Sequence, residues 1–202
     1  MKRIGITGPT GAGKTTALGA LEDLGACVID ADAVYHQLLA DSAPLRSALA
    51  DRFGPAILDG AGKVDRKALG AVVFGDPAAL ADLNGITHRF IRAEIDRQTA
   101  RAEAEGRPAA AIDAIALIES GLGEICDTVV GVLAPAEVRV RRIMAREGIS
   151  EGYARSRVAA QQGDGFYRAH CAHILENREG DAPEEFRARA LALFREILQS
   201  GS

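Results

Sequence analysis

The chain has 202 residues, 48% of them hydrophobic and 26% charged, which is the composition of a folded protein with a sizeable core rather than a disordered one. A formal net charge of −4 argues against a general nucleic-acid binder, so any attraction for phosphate has to be local. Three widely spaced cysteines (Cys27, Cys126 and Cys171) suit neither a disulfide framework nor a metal site, and no apolar run is long enough to span a bilayer. With no charged start followed by an apolar signal core, the expected setting is the cytoplasm, and the expected form a monomer that acts on small molecules rather than on nucleic acid or membrane.

Residues 3–7 predict a short buried strand, and residues 16–24 an amphipathic helix closed by Gly25. Between them, Gly8-Pro9-Thr10-Gly11-Ala12-Gly13-Lys14-Thr15 satisfies G-x-x-x-x-G-K-[ST], the phosphate-binding P-loop, in the strand-to-helix context that motif requires. Glycines there allow positive φ and bring backbone N–H groups close to phosphate oxygens, while the helix aims its positive end at the same anion. Gly8, Gly11, Ala12, Gly13, Lys14, Thr15 and Thr16 are therefore the expected nucleotide-binding residues. Lys14 is expected to reach the β- and γ-phosphates and Thr15 to offer its hydroxyl to Mg²⁺.

Residues 26–30 predict a second buried strand, with Asp30 and Asp32 at its carboxyl end, where open α/β sheets place their ligands. One of the two acids reads as a helix N-cap and Asp32 as the functional one. From 42 to 107 the pattern is helical with no buried strand. Asp65 and Asp76-Pro77 read as helix starts, and a long helix is expected from about Thr87 to Glu105. This insertion is expected to bind an acceptor, with His88 and Arg92 four apart on one face. Residues 109–113 then form an apolar strand ending in Asp113, in the manner of an acid that helps to hold Mg²⁺, and Glu119 follows it.

Residues 128–133 predict a further buried strand, and Pro135 opens a helix carrying Arg139, Arg141, Arg142 and Arg146. Ser150 caps the next helix, expected from Glu151 to about Gln162 and carrying Arg155 and Arg157. The two together read as a small lid over ATP. A last short strand over 173–176 leads to Asn177, and Pro183 starts a C-terminal amphipathic helix. The pattern is that of an α/β P-loop fold, three layers with a parallel sheet. It is divided into a core (1–41, 108–138 and 165–202), a helical acceptor-binding region (42–107) and a lid (139–164), all within one domain of 1–202.

Beyond the P-loop, the chain resembles the dephospho-CoA kinases over nearly its whole length. Ile29-Asp30-Ala31-Asp32 followed by His36, Phe53-Gly54 with Asp65-Arg66-Lys67-Ala68-Leu69, and Leu83-Asn84-Gly85-Ile86-Thr87-His88 resemble segments of that family. So do Arg142 to Arg146, Gly148-Ile149-Ser150-Glu151, Arg157-Val158-Ala159-Ala160-Gln161, and Ile174 to Asn177 with Gly180. Arg89 and Ile115 stand where the family usually has proline, and Glu147 where its lid has aspartate. The resemblance implies ATP-dependent phosphorylation of the ribose 3′-hydroxyl of dephospho-CoA, with ATP and Mg²⁺ required. It implies Asp32 as the base, Lys14 and Arg142 on the transferring phosphoryl group, and Arg146 and Asn177 on the nucleotide. His88, Arg92 and Glu119 fall to the acceptor, and Thr15 and Asp113 to the metal. Two other readings share the motif: a P-loop kinase for a nucleoside, nucleotide or sugar acid, and a nucleotide-dependent switch protein.

Overall fold

The computed structural model describes residues 1–200. Its strands are β1 (Lys2–Thr7), β2 (Cys27–Asp30), β3 (Ala109–Asp113), β4 (Thr128–Leu133) and β5 (His173–Glu176). They form one parallel sheet in the order β2-β3-β1-β4-β5, with helices on both sides. The helices are α1 (Lys14–Asp23), α2 (Ala31–Asp41), α3 (Ala43–Phe53), α4 (Arg66–Val73) and α5 (Pro77–Ala104), then α6 (Ala136–Glu147), α7 (Glu151–Ala159), α8 (Asp164–His170) and α9 (Pro183–Gln199). This is the expected α/β class.

The chain divides into two compact units. One comprises Met1–Ile29 with Thr99–Ser202 (201 and 202 lie outside the described residues), and the other Asp30–Gln98. In the first unit β1 is central, and its Ile6 stands opposite Asp113 of β3 on one side and Val130 of β4 on the other. β3 reads Ala-Ala-Ala-Ile-Asp, four buried residues and then a half-buried acid. A run with no alternation is what a strand covered on both faces needs. Small alanines let the helices approach closely, and Phe186 and Phe194 of α9 close the core with Ala17 and Leu21 of α1. Each of those phenyl rings contributes about 1.5–3 kcal/mol by leaving water.

The second unit is mainly helical, with an antiparallel bridge between Leu58 and Val64 in the loop before α4. Leu39 of α2 joins Leu45, Leu49, Ile57, Leu69, Val73 and Leu83 in a core of this unit. Its caps are where the sequence sets them. Asp65 accepts from the N–H groups of Lys67 and Ala68 (2.8 and 3.1 Å), and Asp76 from those of Ala78 and Ala79 (2.9 and 3.2 Å).

Two elements differ from the sequence reading. The helix expected from Thr87 is continuous with the one starting at Pro77, so α5 runs 28 residues straight through Gly85. Leu83, Thr87, Ile91 and Ile95 are all buried at helical spacing, and that burial outweighs the ~1 kcal/mol that a mid-helix glycine costs. The helix begun by Ser150 stops at Ala159 rather than about Gln162, and the seven-residue α8 follows, too short to show a periodic pattern.

Candidate active site

Thr7 ends β1 and Lys14 begins α1, so the glycine-rich loop crosses the carboxyl edge of the sheet. Gly8 has φ +143°, and a Cβ there would lie 2.2 Å from the Val132 carbonyl oxygen, so only glycine fits. Gly13, at φ +111°, is the N-cap of α1. The first intrahelical bonds run from the N–H groups of Thr16 and Ala17 to its carbonyl, which leaves those of Lys14 and Thr15 pointing out of the helix end.

Three successive loop carbonyls are tied back by side chains from elsewhere. Thr10 O accepts from Arg139 Nε (3.0 Å), Gly11 O from Arg142 Nη1 (3.2 Å) and Ala12 O from Asn177 Nδ2 (3.0 Å). In a trans peptide the carbonyl and the following N–H point in opposite directions, so holding these carbonyls turns the next N–H groups the other way. Ala12 N–H closes a turn onto Pro9 O (3.2 Å), and those of Gly11 and Gly13 flank it. A concavity of backbone donors at a helix N-terminus is a built anion site.

The loop lines a cleft of about 340 Å³ with Ile115, Arg142, Arg146 and Arg157, and among the described residues no acid lines it. Lys14 also lines it. Its Nζ donates to Gly8 O (3.4 Å) and lies 4.0 Å from Asp113 Oδ1. Arg142 spends a second donor on Asn177 Oδ1 (3.1 Å), which leaves donors of its five to face the cleft. Glu147 bridges Arg146 (2.6 Å) and Arg157, and their hydrogen bonds, that of Arg146 first, hold its carboxyl below the ordinary carboxylate value. The cleft is strongly cationic, and its shape and donors suit a polyphosphate.

In the helical unit, Asp30 caps α2, its Oδ1 accepting from the N–H groups of Asp32 and Ala33 (both 2.9 Å). Asp32 stands exposed in the first turn with its own carboxylate outside that cap. His88 and Arg92 lie on α5, His88 half-buried and Arg92 exposed. Burial lowers the His88 pKa, so its imidazole is held towards the neutral form. Glu119 is exposed in the turn after β3. The structure thus gathers Lys14, Thr15, Arg142 and Arg146 on one cleft with Asp113 beside Lys14, while Thr16 lies one residue beyond its lining. Asn177, expected against the nucleotide, is 5% exposed and holds both the loop and Arg142.

The family model for dephospho-CoA kinase matches residues 2–182 of this chain. The chain belongs to the dephospho-CoA kinase family. Its reaction is the family's, a phosphotransfer that forms the last step of coenzyme A biosynthesis. A dephospho-CoA kinase of Symbiobacterium thermophilum is 39% identical over 88% of this chain and 74% of its own length. Another, of Anaeromyxobacter dehalogenans, is 38% identical over 98% and 92%. The solved dephospho-CoA kinase from Campylobacter jejuni superposes with a TM-score of 0.69 at 26% identity, covering 99% of this chain and 98% of that one.

Sequence reading of this dephospho-CoA kinase singles out Arg142 and Arg146 of α6 but passes over Arg139, and it leaves Arg157 as a general lid residue. Arg139 is 4% exposed and Arg157 lines the cleft. Spacing alone places 139, 142 and 146 on one helical face, three and four apart, with Arg141 turned away to Glu179 (2.8 Å), but it does not say what that face meets.

Proposed function

We propose that the glycine-rich loop and Lys14 hold the β- and γ-phosphates of ATP while Asp32 orients the ribose 3′-hydroxyl of dephospho-CoA and takes its proton. What carries this reading is the cationic cleft, built from backbone donors, Lys14 and three arginines, in a chain of this family. Phosphoryl transfer asks a protein for alignment and charge neutralisation more than for covalent chemistry. Lys14, Arg142 and Arg146 neutralise charge on the transferring group. Asp32 suits the base because Asp30 already serves as the cap of α2, so the Asp32 carboxylate is not committed to the helix.

Mg²⁺ fits the residues available. It takes hard oxygen ligands, often only one or two from protein, and Thr15 Oγ1 and the Asp113 carboxylate beside Lys14 are such donors. Bound there, it would supply positive charge against the phosphates. Nearby, Asn177 fixes the nucleotide side by holding Ala12 and Arg142, and Thr16 supports the loop from α1. His88, Arg92 and Glu119 serve the acceptor, with His88 offering a neutral imidazole as a hydrogen-bond partner. The protein acts as a cytoplasmic monomer on small molecules. No helix among the described residues is long and apolar enough to cross a membrane, and the net charge is negative.

The test is a coupled ADP-release assay with ATP, Mg²⁺ and dephospho-CoA, run beside a panel of nucleosides, nucleotides and sugar acids. Turnover is expected with dephospho-CoA alone. Asp32→Asn should lose on the order of a hundredfold or more in kcat while ATP affinity holds. A D32N variant with near-wild-type kcat removes the base assignment, and preferential turnover of another acceptor removes the substrate.

A further inference from the structure

Thr10, in the middle of the phosphate loop, has every polar group engaged, and two side chains do all of it. Gln161 Oε1 accepts from Thr10 N–H (3.1 Å) and Gln161 Nε2 donates to Thr10 Oγ1 (3.0 Å). Arg139 joins them, its Nε donating to Thr10 O (3.0 Å) and its Nη2 to Gln161 Oε1 (2.6 Å). Only the Gln161 carbonyl oxygen can accept from those two donors, so the amide has one workable orientation.

Arg139 is a buried residue, 4% exposed, yet both of its hydrogen-bond acceptors here are neutral oxygens, with the Asp164 charge acting on it only through space. A buried cation so solvated is a poor device for stability, since apolar replacements at such places are often neutral or better. It is a good device for geometry. Gln161 lies in the turn after α7, four residues beyond Arg157, which lines the phosphate cleft. The segment that grips the loop at Thr10 is thus the one that presents Arg157 to the same cleft.

We propose that Gln161, through Thr10 and with Arg139, is a positioning residue for ATP. It sets the loop's donors in their phosphate-binding arrangement and fixes the distance from the loop to Arg157. This rests on the reading that the loop holds the phosphates of ATP. Thr10 N–H, being spent on Gln161, is not a phosphate donor. The donors are those of Gly11, Gly13, Lys14 and Thr15, and they are aimed only while Thr10 is gripped.

The experiment uses the full chain with Gln161→Leu, Thr10→Val and the double variant. It measures Kd for ATP and ADP by calorimetry, KM for dephospho-CoA, Tm, and amide hydrogen exchange over residues 8–16. Q161L should weaken both nucleotides about tenfold, the worth of its two bonds to Thr10 at about 0.7 kcal/mol net each. It should also speed exchange in the loop while KM for dephospho-CoA stays within about twofold. T10V removes one of the two bonds and should cost about threefold, and the double variant should be no weaker than Q161L, because both changes break one link. Unchanged nucleotide Kd in Q161L, with or without a lower Tm, overturns the proposal, as does simple additivity in the double variant. If Q161L does not fold, T10V decides, and an unchanged Kd there overturns it. A wild-type chain that fails to bind ATP removes the P-loop reading and this one together, whereas ATP binding indifferent to Q161L removes this one alone.

Discussion

Replacing Asn177 with alanine removes two hydrogen bonds at a residue that is 5% exposed. Its Nδ2 bond to Ala12 O (3.0 Å) is neutral, worth about 1 kcal/mol net, and leaves a buried carbonyl without that partner. Its Oδ1 bond from Arg142 Nη2 (3.1 Å) is to a charged group, worth about 1.5–3 kcal/mol when buried, and the low end applies because Arg142 is only half-buried. The backbone bond from Asn177 N–H to Leu133 O (2.8 Å) survives the substitution. The sum is about 2–3 kcal/mol, which for a chain of this size lowers Tm by roughly 5–10 °C. Asn177→Asp separates the two roles. It keeps an acceptor for Arg142 but sets a carboxylate against Ala12 O and puts negative charge beneath the phosphate loop. Differential scanning calorimetry with and without saturating ATP should show N177A losing apo stability and N177D losing more of the ATP-induced rise in Tm. An N177A variant that melts within a degree of wild type, or an N177D variant with the full ATP-induced rise, refutes the argument that Asn177 sets the loop.

Three further outcomes follow from other parts of the molecule. Gly8→Ala puts a methyl 2.2 Å from a backbone oxygen at φ +143°, which no side-chain motion relieves. It should prevent soluble expression or abolish ATP binding, and a stable, ATP-binding G8A variant contradicts the loop geometry. Burial, then the neighbouring Asp127 charge, pushes the Cys126 thiol up to about 12. At pH 8 roughly one molecule in ten thousand carries its thiolate, and a disulfide reagent should label Cys126 rapidly only after unfolding in urea. Burial lowers the pKa of His88, so the stability gained by burying a neutral imidazole is present above the ordinary value near 6.5 and is lost as pH falls below it. Tm measured from pH 7.5 to 5 should therefore fall more steeply for wild type than for His88→Gln, and parallel curves rule this out.

Much of this architecture can be read directly from residue order, because its signals are local. The loop motif fixes β1 and α1, aspartates and Pro77 fix helix starts, and apolar runs ending in acid fix β3 and the position of Asp113. What escapes is whatever depends on two distant segments meeting. The long helix reads as starting near Thr87 until the buried line from Leu83 to Ile95 is seen, and no local pattern reveals that line's partners. Arg139 shows the same limit more sharply. An arginine on a helix rich in arginine reads as solvated, and its type gives no hint that a carbonyl 129 positions earlier needs a donor. The need arises from the loop itself. A loop that turns its N–H groups inward for phosphate must turn carbonyls outward, and inside a protein those carbonyls require donors. A P-loop in a sequence therefore implies, somewhere later in the chain, polar side chains committed to its back. Here they are Arg139, Arg142 and Asn177, at three consecutive carbonyls. That two of the three were singled out for contact with ATP follows from the same geometry: a side chain that holds the back of the loop is only one peptide away from what the front holds.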